Sequence, residues 1–508
     1  MRPTTISTLL SSLLLSSLTQ AQWPTDTPSA IVREIEHIIL DKSNTNLKAM
    51  ISPCGQYIDS SVGTANSKLG RQTAAEWIRT AFHDFVTGNT YTYQGGLDAS
   101  IGYELDRAEN VGTAFNDALI NFGYYFNLRV SMSDLIAIGT VLAAGHCGGT
   151  PVPLKGGRID ATQAGPLGVP QPQEDLNTVL QRFSNVQFNK DDVIALTACG
   201  HTMGGVRKKD FPTVNNIQGT LDGTDQRGAF DSSVDKFDTN VASEFVQGTG
   251  LKGGPLVTTS NATMANDLRL YTSDNNATIT RMASSQGYFN SQCSSLFQRM
   301  IEVVPGNVRL TDSVAPNSKL ASNSNLKPYN VDLNMDWKGG MTLIGYLRYV
   351  EVAGANPAPA TLTVQLVGRN GQVGTQSATA TRSSADTGTG LYGATYNYKF
   401  SITTTSATGV SGIQVLGTKY ALQDTMFVVP GLSSFSPPPP AFSFTPAMNN
   451  QAAYTANVTV AVSFFFSLPF FPCPMLLGWR SGRAVRPLPM AWTARSVDRW
   501  AARHPPTT

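Results

Sequence analysis

The stretch Trp77-Ile78-Arg79-Thr80-Ala81-Phe82-His83-Asp84 decides how the rest of the chain reads. On an α-helix, residues three and four apart share a face, so Arg79, Phe82 and His83 project together. A guanidinium, an aromatic ring and an imidazole on one wall suit the cleavage of a peroxide O–O bond. A base must take a proton from one oxygen and return it to the other, which departs as water. An imidazole can hold and release that proton near neutral pH. The departing oxygen gains negative charge, which a fixed arginine stabilises. Alone, the octapeptide fits a buried histidine beside a surface arginine equally well, so context decides.

Asp84 follows His83 directly, and Gly95-Gly96-Leu97-Asp98-Ala99-Ser100 comes soon after. Calcium takes hard oxygens from carboxylates, carbonyls and hydroxyls. Asp84, Asp98, the Ser100 hydroxyl and the Gly96 carbonyl supply such a set. A Gly/Asp/Ser cluster by itself reads as a turn; next to His83, calcium is the preferred reading. Further on, Asp191-Asp192-Val193-Ile194-Ala195-Leu196-Thr197-Ala198-Cys199-Gly200-His201-Thr202 reads as an apolar helix ending in a histidine.

Arg79-x-x-Phe82-His83-Asp84 resembles the distal helix of the plant-type haem peroxidases, in particular the secreted fungal (class II-like) ones. The resemblance covers roughly Ile31 to Pro305 and implies a mainly α haem-peroxidase domain holding haem b. His201 then matches the proximal ligand of the iron, with Arg79 and His83 above the haem and Phe82 beside it. The family's distal asparagine falls on Asn110, and the glutamate that holds it falls on Glu104, with Glu109 as the competing assignment. The carboxylate behind the proximal histidine falls on Asp274, after Leu268-Arg269-Leu270-Tyr271. Phe230 takes the place beside the proximal histidine, where relatives that store a radical have tryptophan.

The family's two calcium ions follow. The distal one matches Asp84, Gly96, Asp98 and Ser100. The proximal one matches Thr202, Asp231, Ser233, Lys236 and Asp238, with Ser233 and Val234 where threonine and proline are usual.

The 508 residues exceed one ordinary core, so two or more domains are expected. A net charge of +2 argues against a nucleic-acid partner. Residues 1–21 carry Arg2, a short leucine-rich stretch and Thr19-Gln20-Ala21, the pattern of a signal peptide. The expected product is therefore secreted and extracellular, with Asn261, Asn276 and Asn457 as glycosylation sequons. Five cysteines in that route allow two disulfides and one left over. Spacing does not fix the connectivity; Cys54–Cys147 and Cys199–Cys293 are favoured.

Periodicity predicts helices over Ala74–Val86, Ala114–Phe126, Ser133–Ala144, Asp175–Phe183 and Asp191–Ala198, with Ser133 and Asp191 as N-caps. Ile31, Ile35, Ile38 and Ile39 mark one more helix face. After Asn317 alternation takes over, as in Leu362-Thr363-Val364-Gln365-Leu366, and an all-β, sandwich-like domain is expected over 318–432. Residues 433–508 read as a Pro-rich linker and an irregular tail.

Manganese oxidation in the fungal relatives uses acids that fall on Glu76, Gln72 and Arg207 here. One acid of three leaves that site incomplete, and Glu76 reads as a solvated helix charge. The relay tryptophan of ligninolytic relatives falls on Leu196. The expectation is a monomeric enzyme using hydrogen peroxide and a small reducing substrate, phenolic in type, at the haem edge. An alternative is a secreted wall- or polysaccharide-binding protein, contacting its partner through the β-domain, with a vestigial haem domain.

Overall fold

A computed structural model describes residues 30–40, 47–59, 64–65, 71–214, 227–311 and 313–314, most of 326–421, and short strands at 426–428, 434–435, 456–457 and 460–462. The expected signal peptide and the proline run 436–440 lie outside the described residues.

Helices dominate up to residue 302. They are α1 (Ala30–Leu40), α2 (Thr73–Val86), α3 (Ala114–Gly123), α4 (Met132–His146), α5 (Leu176–Asn185), α6 (Lys190–His201), α7 (Asn240–Gln247), α8 (Pro255–Thr258), α9 (Asn266–Thr272), α10 (Ala277–Met282) and α11 (Gln286–Glu302). Short strand pairs tie loops together: β1 (Ile58–Asp59) with β2 (Thr64–Ala65), β3 (Leu154–Lys155) with β6 (Ser313–Val314), and β4 (Gly205–Arg207) with β5 (Arg227–Ala229).

α4 is the centre of the helical core. Leu135, Ile136, Ile138, Val141 and Leu142 point in different directions yet are all fully buried, as expected of a helix that is apolar all round. α2 packs on α3 and α4. Trp77 of α2 meets Phe122 of α3 at 5.1 Å between ring centroids. Gly139 makes room for that ring, because a Cβ there would stand 2.5 Å from Phe122 Cζ. No described helix is long and apolar enough to cross a membrane.

The two favoured disulfides are present, Cys54–Cys147 and Cys199–Cys293. The second fastens α6, which carries His201, to α11.

Two expected caps are corrected. α4 is capped by Ser131, whose hydroxyl accepts from Asp134 N–H at 3.0 Å; Ser133 lies inside the helix and bonds Asp160. α6 is capped by Asn189 in a reciprocal box with Asp192, so Asp191 is an exposed first-turn acid. In both, the capping oxygen must stand three residues before the N–H that it receives, one turn outside the first apolar residue. α3 also stops short of Phe126: Tyr125 N–H bonds Phe122 O at 2.9 Å, three residues back, which is a tighter turn.

The β-region is one antiparallel sheet in the order β14–β13–β9–β10–β12–β8–β7, with β11 also on β12. Its strands are β7 (Leu326–Met335), β8 (Met341–Glu351), β9 (Thr361–Val367), β10 (Val373–Arg382), β11 (Gly388–Gly390), β12 (Gly393–Thr404), β13 (Gly412–Val415) and β14 (Thr418–Ala421). Among the described residues, β10 and β12 share the two pairs Thr381–Lys399 and Arg382–Tyr398. At that corner the sheet curls, so Leu362, Val364 and Ile413 of one half pack in one core with Leu343, Leu347 and Phe400 of the other. The sandwich-like expectation thus resolves into a single curled sheet.

Candidate active site

α2 and α6 face each other across a cavity of about 260 Å³. Arg79, Phe82 and His83 line it from α2; His201, from the last turn of α6, and Phe230 line it from the other side.

His83 Nδ1 lies 2.8 Å from Asn110 Oδ1. An amide oxygen only accepts, so Nδ1 carries the proton and Nε2 is the ring's basic atom. Asn110 in turn donates from Nδ2 to the Glu104 backbone carbonyl at 3.0 Å. Glu104 therefore holds the asparagine through its main chain. Its carboxylate accepts from Gly165 N–H at 2.7 Å and pairs with Arg107 at 3.1 Å. Glu109, the competing assignment, receives the Gly168 and Val169 N–H groups instead. Phe115 lies under both distal groups, 4.6 Å from the His83 ring and 4.5 Å from the Arg79 guanidinium.

Burial pushes the His83 imidazole well below its ordinary range, and the Arg79 charge adds to this; the Asn110 bond opposes it. Arg79 is brought down to about 10, again by burial, and so stays charged at neutral pH. Arg79 Nη2 donates to Val111 O at 2.9 Å, which fixes the guanidinium.

On the opposite wall, His201 Nδ1 meets Asp267 Oδ2 at 2.6 Å. The Phe230 ring stacks on the imidazole at 4.0 Å and 3°. Asp274 does not have the expected role. Its carboxylate accepts from Thr278 N–H at 2.8 Å and secures the start of α10. The physical reason is register. Asp267 sits in the first turn of α9 on the buried face it shares with Leu270 and Tyr271, whereas Asp274 lies beyond the helix end. A lone acid one turn before two apolar residues was the available signal, because a carboxylate on a buried face needs a partner.

Glu76 is corrected as well. It is not a solvated charge: it lines the cavity, its side chain is 12% exposed, and Arg71 Nε pairs with it at 2.6 Å. Arg71 also meets Asp117 at 2.5 Å and the Tyr57 hydroxyl at 2.6 Å. Burial raises the Glu76 carboxyl to about 7, against the pull of Arg71. Gln72 and Arg207 line the same end of the cavity, and Arg207 lies 3.7 Å from Asp210.

The side chains expected for the two calcium clusters lie close together within each cluster. Asp84 accepts from Ala99 N–H at 2.8 Å and Ile101 N–H at 2.9 Å, and Ser100 Oγ lies 3.5 Å from it. Asp98 accepts from Ser100 N–H at 3.1 Å. Gly96 has φ +102°, and a Cβ there would stand 2.5 Å from Val303 O, so only glycine fits this turn. Burial drives the Asp84 carboxyl well up, the Asp98 charge adds to it, and Asp98 itself is raised by burial.

In the proximal cluster, the Thr202 hydroxyl donates to Asp238 O at 2.5 Å and Ser233 Oγ to Asp238 Oδ1 at 2.9 Å. Asp231 Oδ1 accepts from Ser233 N–H at 2.9 Å, while its Oδ2 is buried without a hydrogen-bond partner. Lys236 joins through its backbone N–H to Ser233 O at 2.9 Å. Among the described residues no three His, Cys, Asp or Glu side chains could hold a metal by themselves. Carbonyl and hydroxyl oxygens would have to complete either set.

Residues 59–285 match the family model described as Peroxidase. The chain is 46% identical over 250 residues to a WSC domain-containing protein of Arthroderma benhamiae, which covers 48% of this chain and 34% of that protein. It is 29% identical over 192 residues to versatile peroxidase VPS1 of Pleurotus eryngii (35% of this chain, 48% of that one). It is 28% identical over 193 residues to manganese peroxidase H4 of Phanerodontia chrysosporium (36% and 47%). The chain thus spans from about a third to about half the length of these relatives.

Proposed function

Because residues 59–285 form a domain of the plant-type haem peroxidase superfamily, homologous to the fungal class II enzymes, we propose that this chain reduces hydrogen peroxide and oxidises small phenolic one-electron donors at the cavity edge. The observation that carries this reading is the pair of opposed histidines, each with Nδ1 engaged, His83 by Asn110 and His201 by Asp267. Each ring is left with Nε2 for the cavity that both line.

That arrangement fits haem b between α2 and α6, where His201 Nε2 would hold the iron. When bound, haem supplies two electrons to the peroxide and recovers them one at a time from two donor molecules. The chain's own residues manage protons and charge. His83 Nε2 accepts the proton of one peroxide oxygen and returns it to the other, which leaves as water. Asn110 holds the tautomer that makes this possible, and Arg79 stabilises charge on the departing oxygen. Asp267, accepting from Nδ1–H, orients His201 and makes its other nitrogen more basic.

Two calcium ions fit the oxygen clusters around Asp84, Gly96, Asp98 and Ser100, and around Thr202, Asp231, Ser233, Lys236 and Asp238. In each, buried carboxylates accept from backbone N–H groups, and burial raises their protonation, which a bound cation would relieve. The leader-like residues 1–21 and the sequons support a secreted, extracellular protein. A second reading, a binding protein with a vestigial haem domain, is left open by the name of the Arthroderma relative. The complete His83–Asn110 and His201–Asp267 pairs weigh against it.

Reconstitution with haem tests the proposal. The full chain is expected to give a Soret band that His201→Ala loses together with the bound haem. An unaltered spectrum in His201→Ala would move the axial ligand elsewhere.

A further inference from the structure

Where Arg348–Val350 of β8 runs beside Thr395–Asn397 of β12, the sheet is buried on both faces. In an antiparallel sheet that covers one core, alternate residues face solvent. Leu343 and Leu347 of β8 and Tyr398, Phe400 and Ile402 of β12 fill the sheet's own core. The residues between them should then be wet. Instead Arg348 is 2% exposed, Val350 4%, Thr395 1% and Asn397 3%. Arg348 stands opposite Asn397, and Val350 opposite Thr395, so the four make one patch.

The helical domain covers that patch. Glu36 of α1, itself 1% exposed, meets Arg348 Nη2 through Oε2 at 2.7 Å. Val350 belongs to the helical core, and Leu391, in the turn between β11 and β12, packs on the same core. A Cβ on Gly145 of α4 would stand 2.7 Å from Leu391 Cδ2, so the glycine admits the leucine. A buried ion pair is tolerated only when both charges keep their partners. Here the two partners come from different domains, so neither can leave without stranding the other.

We propose that this patch is an interdomain interface at which the sheet clamps α1 and α4, making the helical domain and the sheet one folding unit rather than an enzyme with a tethered module. None of the residues that line the cavity comes from α1, α4 or the sheet. The proposal therefore stands or falls independently of the peroxidase reading.

Hydrogen exchange on the full chain tests it, because protection reports the opening of each segment. On heating the parent protein, α1 and β8 should lose protection in one transition. Arg348→Ala should speed exchange in α1 and β8 together, by tenfold or more. A parent protein in which β8 opens while α1 stays protected would overturn the proposal, and this needs no variant to fold. So would an Arg348→Ala protein that exchanges faster in β8 alone.

Discussion

His83 is held neutral by the same surroundings that make it useful. Burial and the Arg79 charge both disfavour its protonated form, so Nε2 is an available base across the range in which an ordinary imidazole titrates. The rate constant for peroxide should therefore stay flat through pH 6–7 (about the free-imidazole value) and fall only in more acid solution. A rate that halves near pH 6.5 would place the group outside its buried environment. The proximal partner gives a sharper contrast. Asp267→Asn removes the anionic acceptor of His201 and should slow the peroxide reaction by about 10–100-fold. Asp274→Ala should leave the rate unchanged and cost about 1 kcal/mol of stability. Equal rates in both variants would refute the assignment of Asp267. Local spacing placed Arg79, Phe82 and His83 on one face because the helix repeat alone determines it. The His201–Asp267 contact spans 66 positions, so spacing gives no distance between them, and only the apolar face that Asp267 shares with Leu270 and Tyr271 sets it apart from Asp274.

At the scale of elements, α2 is tied to its following loop by Asp84, whose two oxygens receive the Ala99 and Ile101 N–H groups. Bound calcium would neutralise the buried carboxylates; without it, protonation would have to suppress their charge. Burial raises the carboxyls of Asp84, Asp98 and Asp231, the last to about 7. A raised carboxyl binds its proton more tightly in the folded state, so the stability it contributes is lost as pH rises through its folded value. Chelation should therefore lower the melting temperature, and by more at pH 8 than at pH 5. A melting curve indifferent to chelator at both pH values would remove calcium from the account. The helices α1 to α6 were legible in apolar periodicity, with α4 and α6 differing from expectation at their ends, whereas α7 to α11 were not individually foreseen. The cap depends on which side chain reaches the third N–H, and polar residues at several positions could do so.

Across the whole molecule, the cavity and the sheet contribute separately. The cavity joins α2 and α6 with residues of α5, α9, α11 and the loops between them, and its lining includes the charged side chains Arg71, Glu76, Arg207 and Asp210. Glu76 looked solvated in the sequence because Arg71, Asp117 and Tyr57 come together only in the fold. Strand alternation likewise predicts one wet face for β8 and β12, and only the docking of α1 shows otherwise. The central claim is that His83 is the base for peroxide cleavage in a haem-loaded chain. Stopped-flow mixing of the haem-loaded protein with hydrogen peroxide tests it most directly. The Soret band should shift at a rate proportional to peroxide, and His83→Ala should retain haem yet react about 10²–10⁴-fold more slowly. An unshifted band in the parent protein, or an undiminished rate in His83→Ala, would contradict the account.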